Sequence, residues 1–243
     1  MFGILLCKHS RITGLSARRR HILDVLDAIN NRRSIRGFKK DPVPKEVIHK
    51  VLEAAVRAPS GMNTQPWEFV VAAGKALDEI REECGRLFNE HSFPTNDMLR
   101  NPYEGVYRQR QVELAMEIFK IIGIKREDKE ARNKWMLRGF RFFDSPCQIV
   151  ICADREMQYH LDMLGLGALC QTICLAALEY GLATCIADQG IMYDQVWRKY
   201  ANIPESKRLV AGITIGYPDP GFPVNDMVTP REPVDKITTW LGY

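Results

Sequence analysis

The sequence lacks the residue spacings on which metal sites and disulfide frameworks depend. Its seven cysteines are an odd number with no Cys-x-x-Cys pair, and no histidine stands at a zinc-binding interval. Cys170 and Cys174 lie one helical turn apart and Cys147 and Cys152 bracket a strand, positions typical of packed, unreactive thiols. A chain of 243 residues can bury a core without disulfide bonds. We therefore expect no bound metal, a reducing compartment and a cytoplasmic protein.

Charge of one sign and long apolar runs are also scarce. The 34 Lys and Arg side chains are nearly balanced by 30 Asp and Glu, which leaves a formal net charge of +4 and no basic face for nucleic acid beyond Arg18–Arg20. No run approaches the roughly 18 apolar residues of a membrane-spanning helix, and the apolar residues 2–7 lack the flanks of a signal peptide. We expect neither nucleic acid nor a membrane as a partner, and we interpret residues 1–20 as a flexible N-terminal arm.

Helical and strand-like periodicities follow one another from residue 21 to the end, so residues 21–243 are predicted to form one domain. The longest predicted helix is apolar nearly all round and contains the small residues Gly165, Gly167 and Ala168. We expect this helix to be buried, either in the centre of one subunit or at a subunit interface. The predicted helices cover about 22–31, 44–58, 75–87, 112–121, 129–140, 161–180, 193–200 and 234–240, and the predicted strands about 67–73, 148–153, 184–187 and 209–217.

Three arginines and a serine cluster in Asn31-Arg32-Arg33-Ser34-Ile35-Arg36, directly after the first predicted helix. A guanidinium presents a planar fork of N–H donors that matches phosphate oxygens, and a serine hydroxyl can join the same site. The cluster is therefore a candidate phosphomonoester site. Taken alone, it also fits an ordinary solvated helix end, where cations complement the helix dipole, and that interpretation is the simpler one.

A second polar segment, Ala58-Pro59-Ser60-Gly61-Met62-Asn63-Thr64-Gln65-Pro66-Trp67, leads into the first predicted strand. Asn and Gln side chains each offer a donor and an acceptor, which suits the carbonyl and N–H pattern along a pyrimidine-type ring edge. The same side chains can instead satisfy the backbone groups of a turn. Taken alone, the segment favours neither interpretation.

The two motifs together resemble the FMN-dependent nitroreductase family. Arg-Arg-Ser-x-Arg is followed about twenty-five residues later by Pro-Ser-x-x-Asn-x-Gln-Pro-Trp, and the resemblance extends from about Leu23 to Leu241. Gly181-Leu182-Ala183-Thr184-Cys185 and Arg231-Glu232-Pro233-Val234 also fit. The resemblance implies an α+β fold with a central mixed, mainly antiparallel β-sheet flanked by helices. It also implies an intertwined homodimer with FMN at the subunit interface and NADH or NADPH as electron donor.

Carried over position by position, the resemblance assigns two sets of cofactor-binding residues. Arg32, Ser34 and Arg36, with Arg33 beside them and Arg231 from the C-terminal region, correspond to the phosphate and ribityl contacts. The positions that correspond to the flavin ring, some of them to the cofactor of the other subunit, are Pro59, Ser60, Asn63 and Gln65 together with Ile186, Ala187, Asp188 and Gln189. Backbone amides of the second group are implied to lie against the ring near N5.

Residues 88–140 depart from the simplest members of the family, and we interpret them as an inserted lid. The patterns Tyr107-Arg108-x-Arg110 and Arg141-Phe142-Phe143-Asp144-Ser145-Pro146 resemble the branch that acts on nitrobenzoate-like and other nitroaromatic compounds. Candidate substrate contacts are Tyr107, Arg108 and Phe119. Packing or a solvated helix face explains each of these side chains more simply.

The resemblance implies a ping-pong cycle in which electrons pass from NAD(P)H through FMN to a small electron-poor aromatic molecule. Such chemistry resides on the cofactor, so no catalytic side chain is expected, and the protein's role is to bind, orient and tune it. Two alternatives use the same scaffold: a reductive dehalogenase-like or flavin-fragmenting enzyme, and a non-catalytic flavin-binding module. Substrate competition separates the enzymes, and oxidation of NAD(P)H with an artificial acceptor excludes the module.

Overall fold

The computed structural model describes residues 24–96 and 103–243, which form a four-stranded β-sheet and eight α-helices. The predicted arm, residues 1–20, lies outside the described residues. The strands are β1 (Glu68–Ala73), β2 (Cys147–Asp154), β3 (Ala183–Ile186) and β4 (Lys207–Gly216). The helices are α1 (Val25–Asn31), α2 (Lys45–Ala55), α3 (Gly74–Asn89), α4 (Gly105–Ile121), α5 (Lys129–Phe140), α6 (Tyr159–Glu179), α7 (Asp194–Ala201) and α8 (Val234–Ile237).

The sheet has the strand order β1-β2-β4-β3, and each neighbouring pair of strands is antiparallel. A parallel bridge between Ser34 and Thr184 adds the segment after α1 to the outer edge of β3. Side chains alternate between the two faces of a strand, so β2 and β4 send apolar residues into a helical layer on each side. The prediction of an α+β fold with a mainly antiparallel sheet between helices is confirmed.

Helices α2 and α6 cover one face of the sheet, whereas α3 and α7 cover the other. Leu166, Leu169 and Ile173 of α6 are at most 1% exposed and belong to the first core. Leu161 and Leu164 on the same helix are 54% and 77% exposed. The prediction of a buried helix therefore holds for one face of α6 only, and its other face is open in the single chain.

The apolar character of α6 exceeds the expectation from the sequence. The stretch 160–178 has a mean hydropathy of 1.7 and is long and apolar enough to cross a membrane by length and composition. The expectation that no such run exists was wrong, because Asp162 interrupts the run without lowering its average much. Packing of this helix against α2 and the sheet is that of a core helix in a globular domain.

Three predicted boundaries were wrong for local reasons. Helix α4 begins at Gly105 instead of 112, because Val106 and Tyr107 are exposed and add nothing to an apolar stripe. Helix α2 ends at Ala55 instead of 58, since the residue before a proline, here Ala58, is disfavoured in a helix. Helix α8 ends at Ile237 because the backbone of Thr238 is extended.

The turn between α5 and β2 has a strained backbone. Phe142, Phe143 and Asp144 have φ values of 57°, 51° and 53°, a left-handed conformation that costs about 1–2 kcal/mol for each L-residue. Buried Arg81 bridges the turn, because its Nε donates to the Arg141 carbonyl at 3.1 Å and its Nη2 to the Ser145 carbonyl at 2.6 Å. This bridge fixes the point at which the inserted residues rejoin the sheet.

Candidate functional site

The arginine-rich segment that follows α1 is extended and lies along the edge of β3. The Ile35 N–H donates to the Thr184 carbonyl at 2.9 Å. On its far side, the Asn225 side chain accepts from the N–H groups of Arg36 and Gly37 at 2.9 and 3.1 Å and donates to the Gly37 carbonyl at 2.8 Å. Sequence analysis missed Asn225, because this contact joins residues almost 190 positions apart and no local pattern marks it.

Alternation along this extended segment separates its side chains into two sets. Arg33 lies on the side of buried Ile35, and its Nη1 is 3.5 Å from the Asp226 carbonyl oxygen. Arg32, Ser34 and Arg36 share the opposite side, above the Cys185 thiol. Burial raises the pKa of that thiol, whereas Arg36, the Ser34 hydroxyl and Arg32 all act to lower it. Alternation therefore gives Arg32, Ser34 and Arg36 one side of the segment and Arg33 the other.

The segment 186–189 lies next to the Cys185 thiol, because β3 carries that residue directly into it. Burial raises the pKa of the Cys170 and Cys185 thiols, and the Asp188 carboxylate raises it further. Asp188 therefore acts on the same region as the arginine face, the side of the arginine-rich segment that carries Arg32, Ser34 and Arg36. The Ala187 N–H donates to the Gly212 carbonyl at 2.8 Å, so the segment is held against β4.

Gln189 points in a different direction from its neighbours in this segment. Its amide lies against α5, where a Cβ on Gly139 would be 1.8 Å from Gln189 Oε1. Its Nε2 is 3.5 Å from the Met136 carbonyl oxygen. The structure therefore uses this predicted ring contact to join the inserted helices to the site, and leaves only its backbone for a ligand.

The predicted ring-binding loop has a strained backbone and an exposed polar edge. Met62, Asn63 and Gln65 have φ values of 49°, 60° and 48°, again in the left-handed region. The side chains of Asn63 and Gln65 are exposed, as is Pro59. Residues in sparsely populated backbone conformations cluster at ligand sites, where the surrounding structure holds them in place.

Helix α6 holds this loop in place. The Ser60 hydroxyl accepts from the Gln65 N–H at 3.0 Å, and the Thr64 hydroxyl bonds to Asp162 of α6 at 3.1 Å. A Cβ on Gly165 would lie 3.2 Å from the Ser60 side chain, so glycine permits the close approach of loop and helix. The small residue in α6 thus serves packing within one subunit at this position.

The loop and the arginine face lie at different points along α6. Gly165 contacts the loop. Burial raises the pKa of the Cys174 thiol, whereas Thr184 and Arg32 lower it, so Cys174 lies on the side of the arginine face. Nine helical residues at 1.5 Å each separate these contacts by about 14 Å. One chain therefore places Arg32, Ser34, Arg36 and the segment 186–189 near one of these points, and the loop that carries Asn63 and Gln65 at the other.

The remaining predicted residues are Arg231 and the three candidate substrate contacts. Arg231 is exposed, and its Nη1 bonds to the carbonyls of Thr229 and Pro230 in its own segment. Tyr107 and Arg108 are exposed on α4, and Phe119 is partly buried further along that helix. An ion pair of 2.8 Å between Arg110 and Glu232 joins α4 to the C-terminal segment.

Comparisons with known proteins agree with this architecture. The model of the nitroreductase family matches residues 29–217. The chain is 33% identical over 218 residues to nitrobenzene nitroreductase of Ectopseudomonas oleovorans, covering 88% of this chain and 96% of that protein. It is 29% identical over 225 residues to 4-nitrobenzoate reductase of Nocardioides sp. (strain LMS-CY), covering 90% and 91%.

A solved structure shows the same fold. The FMN-dependent nitroreductase NfnB from Mycobacterium smegmatis, crystallised in complex with NADPH, superposes with a TM-score of 0.83 at 28% identity. The superposition covers 90% of this chain and 100% of that one. The chain therefore belongs to the nitroreductase family.

Proposed function

We propose that this protein is an FMN-dependent oxidoreductase that takes electrons from NADH or NADPH and delivers them to a nitroaromatic molecule. The observation that carries the proposal is the bridge between Ser34 and Thr184, which places Arg32, Ser34 and Arg36 on one side of a segment that lies along β3. Relatives of this chain are named for the reduction of nitrobenzene and 4-nitrobenzoate, and a structural relative is named as an FMN enzyme with NADPH. These names support the acceptor class and the donor.

The donor set fits the phosphate end of FMN. Two guanidinium groups and a hydroxyl on one face offer charge-assisted hydrogen bonds to a phosphate dianion, and Asn225 fixes the backbone that carries them. We assign Arg32, Ser34 and Arg36 to the phosphate, with Arg231 as a further partner from the C-terminal segment. The ring contacts are assigned to Pro59, Ser60, Asn63 and Gln65 and to the segment Ile186, Ala187, Asp188 and Gln189.

Bound FMN would supply the electron-transfer chemistry, so the chain's own groups need only bind, orient and stabilise charge. Backbone N–H groups of Asp188 and Gln189 would favour negative charge on a bound flavin ring, because fixed dipoles need no reorganisation. If the electron donor and the acceptor occupy the same site in turn, initial rates should follow a ping-pong pattern.

We further propose a homodimer with FMN between the subunits, in the cytoplasm. The loop and the arginine face of one chain contact α6 at points about 14 Å apart, and we propose that the loop contacts the cofactor held by the arginine face of the other chain. Leu161 and Leu164 expose an apolar face on α6, and Trp240 and Leu241 are 57% and 83% exposed at the C-terminal end. Exposed apolar groups of this kind mark protein interfaces. The six described cysteines are free and buried, which suits a reducing compartment.

The proposal is tested by an absorbance spectrum of the purified protein, followed by anaerobic addition of NADH or NADPH and then of a nitroaromatic acid. We expect flavin bands that bleach with the nicotinamide and return with the acceptor. A protein that neither contains flavin nor binds added FMN contradicts the proposal. If flavin is bound but nicotinamide does not reduce it, a dehalogenase-like enzyme or a binding module takes its place.

A further inference from the structure

Gln148 is a fully buried amide without a hydrogen-bond partner. It is 0% exposed, and within the described part of the chain both its Oε1 and its Nε2 lack a partner. Burying an amide without a hydrogen bond costs free energy, so the presence of this side chain in the core calls for an explanation. It lies on β2, opposite Thr214 of β4, on the face covered by α3 and α7.

Two glycines make room for this amide beneath the segment that follows β3. A Cβ built on Gly190 would lie 3.0 Å from Gln148 Nε2, and one built on Gly212 would lie 2.8 Å from it. The Cβ built on Gly212 would also lie 3.1 Å from the Ala187 carbonyl oxygen. The amide nitrogen of Gln148 and the carbonyl oxygen of Ala187 therefore border one small space without bonding to each other.

The orientation of the Ala187 carbonyl determines that of the next N–H group. This carbonyl uses one of its two lone pairs for the Gly190 N–H at 3.1 Å. In a planar trans peptide the C=O and N–H groups point in opposite directions. Because the Ala187 carbonyl faces β4, the Asp188 N–H points away from β4.

We propose that Gln148 is a positioning residue, whose side-chain amide donates the second hydrogen bond to the Ala187 carbonyl when FMN lies against the segment 186–189. The bond fixes the Ala187–Asp188 peptide and thereby aims the Asp188 N–H at the flavin ring. This inference rests on the proposed function, since it assigns a role only to a segment that contacts the cofactor.

Gln148→Met tests the inference, because methionine fills a similar volume and has no N–H to donate. We expect the variant to bind FMN within about threefold of the wild-type Kd and to unfold at the same temperature or higher, since an unpaired amide is removed. The midpoint potential of bound FMN should fall by about 30 mV, which corresponds to tenfold weaker binding of reduced relative to oxidised cofactor in a two-electron couple. We expect kcat to fall while KM for the nicotinamide is unchanged.

Thr214→Val is the matched control. Thr214 is equally buried beside Gln148, but its hydroxyl donates to the Cys185 carbonyl at 3.3 Å, so the variant should keep the wild-type potential. Gln148→Leu is a second apolar replacement and should repeat the fall in potential. A wild-type potential in the Gln148 variants, or an equal fall in the control, overturns the inference. A wild-type protein that does not bind FMN is a separate outcome, which contradicts the proposed function before any variant is made.

Discussion

Arg32 and Arg33 are adjacent in the sequence, but alternation along the extended segment directs their side chains to opposite sides of it. We predict that Arg32→Ala raises the Kd for FMN at least tenfold, or about 1.4 kcal/mol, because a charge-assisted hydrogen bond to phosphate is lost. Arg33→Ala removes the same charge from the other side and should stay within about threefold of wild type. Fluorescence titration of the flavin-free proteins measures both values. A larger loss in Arg33→Ala would contradict the assignment of faces.

The sequence made the arginine cluster predictable but not its division into two faces. Arg32, Ser34 and Arg36 are neighbours in the chain, so their shared chemistry is visible in one short window. The separation of Arg33 depends on pairing with Thr184, which lies about 150 positions away. Gln148 was missed for the same reason, since its surroundings are built by glycines of other elements. Local patterns therefore predict the members of a site better than their geometry.

The buried thiols give the protein a predictable response to alkaline pH. Burial raises the pKa of Cys84 and of Cys147 from 9.0 to about 12, so the folded chain holds these protons more tightly than the unfolded chain. The resulting stabilisation is complete below pH 9 and is lost as the pH rises from about 9 to 12. We predict a loss of roughly 1 kcal/mol per thiol between pH 8 and 10, measured by urea unfolding. Cys84→Ala should show a smaller loss over this range, and an equal loss would contradict the explanation.

At the scale of elements, α5 joins the inserted residues to the arginine segment. Trp135 stacks on Phe222 with ring centroids 6.4 Å apart and 6° between the planes. Arg138 lies over the same Phe222 ring at 4.9 Å and donates to the Arg36 carbonyl at 3.0 Å. Helix α5 and the candidate phosphate site therefore share one layer of side chains.

Gly37 is the residue on which this junction depends. A Cβ at Gly37 would lie 2.2 to 2.5 Å from the base of the Phe222 side chain, which cannot swing away without breaking its stack on Trp135. We predict that Gly37→Ala lowers the free energy of unfolding by about 1–3 kcal/mol through overpacking. Gly85→Ala in α3 is the control, because its Cβ would meet atoms at 3.6 Å and should give the usual helical gain of up to about 1 kcal/mol. Urea unfolding compares the two, and a stable Gly37→Ala would show that the junction adapts.

Regular elements could be predicted from the sequence, but the connections that shape the site could not. Helix α5 was placed at its observed bounds because its periodicity is local. The left-handed turn Phe142–Asp144 was not foreseen, since aromatic residues rarely adopt that conformation. It persists because Arg81, about 60 positions away, bonds to the carbonyls on both sides of it. Strained connections of this kind depend on tertiary partners and leave no local pattern.

For the whole molecule, Leu164 offers a direct test of the link between assembly and cofactor binding. This side chain is 77% exposed on α6, so Leu164→Lys should leave the fold of a single chain intact. At a subunit interface the same lysine would be an unpaired buried charge, which costs several kcal/mol and favours the monomer. Because the proposed site takes its arginine face from one chain and its loop from the other, we predict that the monomer also loses FMN.

Sedimentation and the ratio of flavin to protein measure both effects in one preparation, with circular dichroism as the check on folding. Ala76→Lys, on an exposed position of α3, introduces the same charge elsewhere and should remain a dimer with full flavin. A Leu164→Lys monomer that keeps its flavin would mean that one chain completes the site and that the loop has another role. If Leu164→Lys remains a dimer with full flavin, this face of α6 is not part of the interface. The exposed apolar residues Trp240 and Leu241 at the C-terminal end are then the next candidates for it.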